Sequence, residues 1–148
     1  KNGLVNGHLT FIVEDVDYEY ITIDLDDNSR ILSRGEFESV DPNMSALINN
    51  CFIEIQPMGN VASYCVDEKD GVVEMAWSED LDWVPNYIGT LNNNLILLDK
   101  DNNIIVELDA KSGKEKGVFP LLWDATQSSI NNNHVIVKSG RKLYAITI

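Results

Sequence analysis

Asp99-Lys-Asp-Asn-Asn103 sets side-chain oxygens at alternate positions, the spacing with which a Ca²⁺-binding loop begins. Such a loop needs a central glycine and a closing bidentate glutamate, and Ile104 and Ala110 stand in those places. The segment therefore reads as a polar hairpin turn. The two histidines, His8 and His134, each follow an asparagine-rich turn at near-equivalent positions of a repeat, which indicates a role at a strand start rather than a catalytic dyad. Cys51 and Cys65 have no paired Cys or His neighbours, so zinc spacing is absent. They fall on successive strands of a predicted hairpin, where a cross-strand bridge is geometrically open. Two half-buried thiols are the expectation, because Cys is readily buried as a small hydrophobe. The chain carries no Gly-rich phosphate loop, nucleophile elbow or His-Glu-x-x-His run. No catalytic residue, metal or cofactor is expected.

The acidic residues offer more. Glu14, Asp15, Asp17 and Glu19 crowd one hairpin, and Glu79, Asp80 and Asp82 accompany Trp77 and Trp83 between two units of the repeat. Carboxylates around exposed rings suit an interface with a basic protein, where charge steers the encounter and rings supply buried anchors. In the opposing arrangement Trp83 fills a gap between sheets while the carboxylates face water. The whole chain has 24 acidic against 11 basic side chains, a formal charge of −13. That balance argues against nucleic acid as a direct partner, since phosphates are neutralised by Lys and Arg.

The elements that hold these residues repeat. Asp24-Leu-Asp-Asp-Asn28, Asp67-Glu-Lys-Asp-Gly71 and Asp109-Ala-Lys-Ser-Gly113 share one pattern, 43 and 42 residues apart. Asn6-Gly7, Asn49-Asn50, Asn92-Asn93 and Asn131-Asn132 keep a similar beat, at 43, 43 and 39 residues. Short strands recurring at roughly 40–50 residues point to a β-propeller or a related array. Asp can accept hydrogen bonds from the N–H groups that follow it, and Gly or Asn tolerates the positive φ of a reversal. The Asn pairs suit the type I′ hairpin turn and are expected at the other end of each sheet.

Four strands are predicted per unit. In the second they are 45–48, 51–55, 61–67 and 72–77. In the third they are 87–91, 95–98, 104–109 and 114–119, each bounded by Gly, Pro, Asn or Asp. Trp77 and Phe119 both lie ten residues beyond their repeat Asp, which predicts a ring that packs between neighbouring sheets, while the first unit has Arg34 there and Phe37 nearby. The fourth unit supplies strands at 128–130, 134–138 and 141–148. The reading is one all-β repeat domain, 1–148, with units at about 1–44, 45–86, 87–127 and 128–148. An incomplete sheet leaves an edge that proteins usually cover or pair. Three arrangements would do so: a larger propeller of which this is part, an oligomer that closes the ring, or an open array with a protected end.

Leu108-Asp-Ala-Lys-Ser-Gly-Lys-Glu115 and Asn133-His-Val-Ile-Val-Lys-Ser-Gly-Arg-Lys-Leu-Tyr-Ala-Ile-Thr147 resemble the PQQ-like β-propeller repeat. In that family a Tyr-Ala-hydrophobic strand leads into an Asp-x-x-x-Gly turn, and a docking Trp follows; here Gly117 and Phe119 occupy that region. The resemblance covers some twenty-five residues and implies four-stranded antiparallel blades, without implying the quinone.

The expected function is a non-enzymatic protein-interaction module, in its specific form an acidic inhibitor or immunity-type protein that covers a basic toxin or nuclease domain. Two alternatives stand beside it. One is a partial quinoprotein-like or carbohydrate-active propeller enzyme completed by homo-oligomerisation; the other is a sensor or adhesion segment of a larger chain. No run approaches the ~18 apolar residues of a membrane span, and no charged-then-apolar leader precedes the first strand. The chain begins at Lys1 rather than Met, which implies a trimmed N-terminus. A soluble protein is expected, with the cytoplasm favoured over secretion.

Overall fold

The computed structural model describes the strands within residues 2–37 as backbone, and residues 44–148 with side chains apart from 68, 70 and 71. Among the described residues fifteen strands form four antiparallel sheets, each a simple meander. The first holds β1 (Asn2–Val5), β2 (His8–Glu14), β3 (Tyr18–Asp24) and β4 (Arg30–Phe37). The second holds β5 (Ser45–Ile48), β6 (Cys51–Ile55), β7 (Asn60–Val66) and β8 (Val73–Asp80). The third holds β9 (Pro85–Leu91), β10 (Asn94–Asp99), β11 (Ile104–Asp109) and β12 (Glu115–Pro120). The fourth has three strands, β13 (Gln127–Asn131), β14 (His134–Ser139) and β15 (Lys142–Thr147). No described helix is long and apolar enough to cross a membrane.

The core explains why the sheets stack. Every residue of β10 is buried. Side chains of a strand alternate between its faces, and here each face meets a different sheet. Leu95 and Leu97 join Ile53, Ile55 and Val61 of the second sheet. Ile96 and Leu98 join Val135 and Val137 of the fourth. That double burial requires the unbroken apolar run 95–98 in place of polar alternation. β14 alternates instead, with Val135 and Val137 buried and His134 and Lys138 exposed, because only one of its faces is covered.

Register fixes how the repeated landmarks correspond. Ile48, Leu91 and Asn131 end the first strands of their sheets, and Cys51, Asn94 and His134 face them across the turn. Asn49, Asn92, Asn93 and Asn132 adopt φ between 50° and 61°, the left-handed conformation the reversal demands. The Asn turns do not lie opposite the Asp turns, as expected from the sequence. In an antiparallel meander the first and third reversals fall at one end of the sheet. Asn50 O accordingly accepts from Val66 N at 2.9 Å, just before the Asp67 turn.

The Asp landmarks correspond less strictly than their spacing suggests. Asp24 pairs with His8 and Asp109 with Asn94, at the same ladder position. In the second sheet that position holds Cys65, paired with Cys51, and Asp67 lies two residues further on. Asp67 still shapes its turn, accepting from Lys69 N at 2.7 Å, as Asp109 accepts from Lys111 N and Ser112 N at 3.1 and 2.9 Å. Trp77 and Phe119 are displaced likewise: Trp77 faces Ser63, whereas Gly117 holds the corresponding place opposite Glu107. A β-bulge between the third and fourth strands recurs at Thr22/Ile23, Ser63/Tyr64 and Glu107/Leu108, one ladder position in three sheets. Each adds a residue to the outer strand and sharpens its twist.

Both rings lie between sheets, as the sequence leads one to expect. Phe119 packs on the cluster shared by the third and fourth sheets. Trp77 leaves the second sheet and lies on the Asp109–Gly113 turn of the third, its indole N–H donating to Ala110 O at 3.0 Å. Gly113, at φ 74°, makes room for it: a Cβ there would stand 2.6 Å from Trp77 Cε3. Gly140 has φ 57° but nothing within 4 Å of the same point. Gly113→Ala should therefore lower stability by about 2–4 kcal/mol, and Gly140→Ala by about 1–2 kcal/mol from backbone strain alone. Urea unfolding midpoints of the two variants check the difference.

Candidate functional site

The array presents two different ends. At the loop end the second turn of the second and third sheets meets the loop leading to the next sheet. Leu81 N donates to Gly59 O at 2.9 Å, and Leu121 N to Asn103 O at 2.7 Å, so the two loops start alike. Gly59 permits the close approach, since a Cβ there would come within 2.4 Å of Leu81 O. Asn103 Nδ2 donates to Asp124 Oδ1 at 2.7 Å, and Asn60 Nδ2 to Asp80 Oδ1 at 2.8 Å. Asp99, buried, accepts from Asp101 N, Asn102 N and Asn102 Nδ2, which ties its carboxylate into the hairpin read from the sequence. Around this framework Met58, Val84, Leu122 and Trp123 project outward, 90%, 56%, 82% and 41% exposed. Asp82 and Asp101 are exposed among them.

At the turn end a cavity of about 630 Å³ opens between the second and third sheets. Asn50, Asn93, Asn94, Lys111 and Lys116 line it, and Cys51 and Cys65 line it beside Ile48. These cysteines form a disulfide, correcting the expectation of two free thiols. The cause is register: they face each other directly across β6 and β7, with Cα atoms 4.0 Å apart. Covalent linkage here takes the ladder position filled by His8 and Asp24 or by Asn94 and Asp109 in the neighbouring sheets. Ser112 Oγ–H donates to Asp109 Oδ1 at 2.8 Å and holds that carboxyl below the ordinary carboxylate range. Buried Asn94 donates to Glu107 and accepts from Lys116 Nζ at 3.4 Å.

The residues expected at a partner interface are divided by the fold. Trp77 is half-buried in the seam with Glu79 beside it, since Glu79 Cγ also borders Gly113. Asp80, Asp82 and Trp83 belong to the loop end, and Trp83 is half-buried against the core. That is the gap-filling arrangement, with the carboxylates in water. Glu14 closes β2 and Glu19 lies in β3, beside the turn at the loop end of their own sheet. Asp15 and Asp17 lie outside the described residues. His8 and His134 each open the second strand of a sheet.

Sequence reasoning missed Trp123, which stacks on Tyr144 with ring centroids 3.6 Å apart and planes 10° from parallel. Its signal was present: Trp83 and Trp123 each follow, by two residues, a Leu of equivalent hydrogen bonding.

No protein-family model and no curated protein sequence matches the chain. Solved structures do match, and they are β-propellers. BamB from Moraxella catarrhalis is 15% identical with a TM-score of 0.57, over 93% of this chain and 39% of its own. Hsv2 from Kluyveromyces lactis is 11% identical with a TM-score of 0.63, over 99% and 47%. The computationally designed Ika4 protein is 12% identical with a TM-score of 0.62, over 99% of this chain and 89% of that one. The chain thus spans less than half of BamB and of Hsv2 and nearly the whole of the designed protein. The likeness establishes a propeller-type all-β fold. It extends to PQQ-like and WD40 propellers alike, so the repeat resemblance is supported as fold rather than as family.

The disulfide closes a loop of sequence separation 14, for which loop-closure entropy predicts about 3 kcal/mol of stabilisation. Cys51→Ser/Cys65→Ser should lose about that much in urea unfolding. An unchanged midpoint would mean that the pairing contributes nothing.

Proposed function

We propose that this chain is a protein-interaction module that binds through its loop end. The observation that carries the reading is the composition of that end. Met58, Val84, Leu122 and Trp123 are large, apolar and exposed, and Asp82 and Asp101 stand among them. Exposed apolar side chains ringed by charge mark protein contact sites. Rings and methionines supply buried area there, while carboxylates steer a basic partner and raise its association rate. The propeller-type fold supports a binding scaffold at the coarse level. The finer reading is an acidic inhibitor or immunity-type protein that covers the basic cleft of a toxin or nuclease domain without being an enzyme itself. Of the residues first expected at this interface, Asp80 and Asp82 stay in this reading, with Glu14 and Glu19 at the same end of their sheet, while Trp83 packs against the core. Trp77 and Glu79 serve the seam instead. A disulfide persists in oxidising surroundings, which supports an encounter in such a compartment.

The test is capture from the source cell with wild-type bait and two variants, followed by kinetics with the captured protein. A basic partner should appear at low salt and diminish at high salt. Asp82→Lys/Asp101→Lys should slow association about tenfold or more with little effect on dissociation. Leu122→Ser/Trp123→Ala should chiefly speed dissociation. Capture of the same partner by all three baits with equal kinetics would refute the assignment of this end.

A further inference from the structure

The cavity between the second and third sheets opens at the turn end, away from the loop end. Its volume of about 630 Å³ falls in the span of small-molecule sites, roughly 300–1,000 Å³. Alternation along β6 and β7 puts Cys51 and Cys65 on the face that carries Ile53, Ile55 and Val61 against the third sheet. The disulfide therefore projects into the seam, where buried Ile48 and Ala110 also border the cavity. These groups make an apolar floor, and the exposed Asn49, Asn92 and Asn93 make a polar rim.

The recurring bulge brings further side chains to the same place. Its extra residue is Ala76 in β8, between the partners of Ser63 and Tyr64, and Lys116 in β12, between those of Glu107 and Leu108. Both line the cavity. A bulge re-aims side chains, and commonly does so beside active sites. The lining charges are Lys111 and Lys116 against Asp109, two ammonium groups to one carboxylate, in a chain with 24 acidic and 11 basic residues. Asp109 is already engaged: its carboxylate accepts from Ser112 Oγ–H, Ser112 N and Lys111 N, which with the nearby Lys116 ammonium keep it ionised. Lys111 is exposed, and its ammonium has no hydrogen-bond or ion-pair partner among the described residues.

An apolar floor, a rim of amides and one unengaged cation match a ligand that is apolar at one end and anionic at the other. We propose that this cavity binds a small organic acid with an apolar body. Lys111 takes the carboxylate at the rim, and Ile48, Ala110 and the disulfide receive the body. An exposed ion pair contributes little by itself, so removal of the body from water supplies most of the affinity. The carboxylate decides which apolar molecules are kept. This site and the protein-contact surface lie at opposite ends of the array, so either can fail without the other.

The probe is octanoate, added to the intact, disulfide-bonded protein and followed by nuclear magnetic resonance. Saturable shifts should appear at the Ile48 and Ala110 methyl groups and at the side-chain amides of Asn49 and Asn92. Octanamide keeps the body without the charge and acetate keeps the charge without the body, so each should bind about tenfold more weakly or less. Lys111→Glu should weaken octanoate about tenfold and gain binding of octylammonium, which the parent protein rejects. That gain excludes misfolding as the cause. Ala76→Phe, at an exposed position, should fill the cavity and block both ligands. The inference is overturned by the absence of saturable shifts, by shifts centred on Met58 and Leu122 instead, by octanamide binding as tightly as octanoate, or by an affinity indifferent to Lys111→Glu.

Discussion

A sheet whose central strand is apolar on both faces cannot stand alone in water, and this constraint governs the molecule. β10 places Leu95 and Leu97 on one side and Ile96 and Leu98 on the other, all buried. Each such side chain contributes about 1.5–3 kcal/mol when removed from water. The third sheet therefore needs the second and fourth against it, which sets the order of the array. Apolar burial is non-directional, so the relative placement of neighbours requires something more specific. At the seam of the second and third sheets that element is Trp77, hydrogen-bonded to Ala110 O and seated where Gly113 lacks a side chain.

Much of this arrangement was legible in the residues. Strand limits followed closely, because β-branched runs end at Asn, Gly and Asp, whose backbone preferences are local. The bounds 45–48, 51–55 and 104–109 agree with β5, β6 and β11. The Asn turns correspond in register, since tight hairpins fix the pairing of their strands. What spacing along the chain could not give was correspondence across the ladder. Asp67 and Asp109 look equivalent in sequence, yet two residues separate their ladder positions and Cys65 takes the vacated one. The second turn of the second sheet and the later turn lengths absorb that shift, and no periodic signal records it. The disulfide was hidden for the same reason: a cysteine pair is settled by register, which is long-range.

The candidate site was less legible than the fold. Acidic residues are easily counted, but exposure and direction decide what they do. Trp77 and Trp83 looked like anchors beside carboxylates, and the fold spends both on packing. The exposed apolar groups of the loop end are Met58, Val84, Leu122 and Trp123, which no composition argument singles out. Propellers share this division of labour between strands and loops: the strands carry the periodic core, while binding residues lie on connections free of that constraint.

The docking of Trp77 on the turn of the next unit joins the second and third sheets through a directed hydrogen bond, and nuclear Overhauser spectroscopy of the labelled protein reads it directly. Strong cross-peaks from the Trp77 indole protons to Gly113 Hα and Ala110, with slow exchange of the indole N–H, are the predicted result. An indole N–H exchanging at the solvent rate, without cross-peaks to residues 109–113, would contradict the stacking of successive sheets described above.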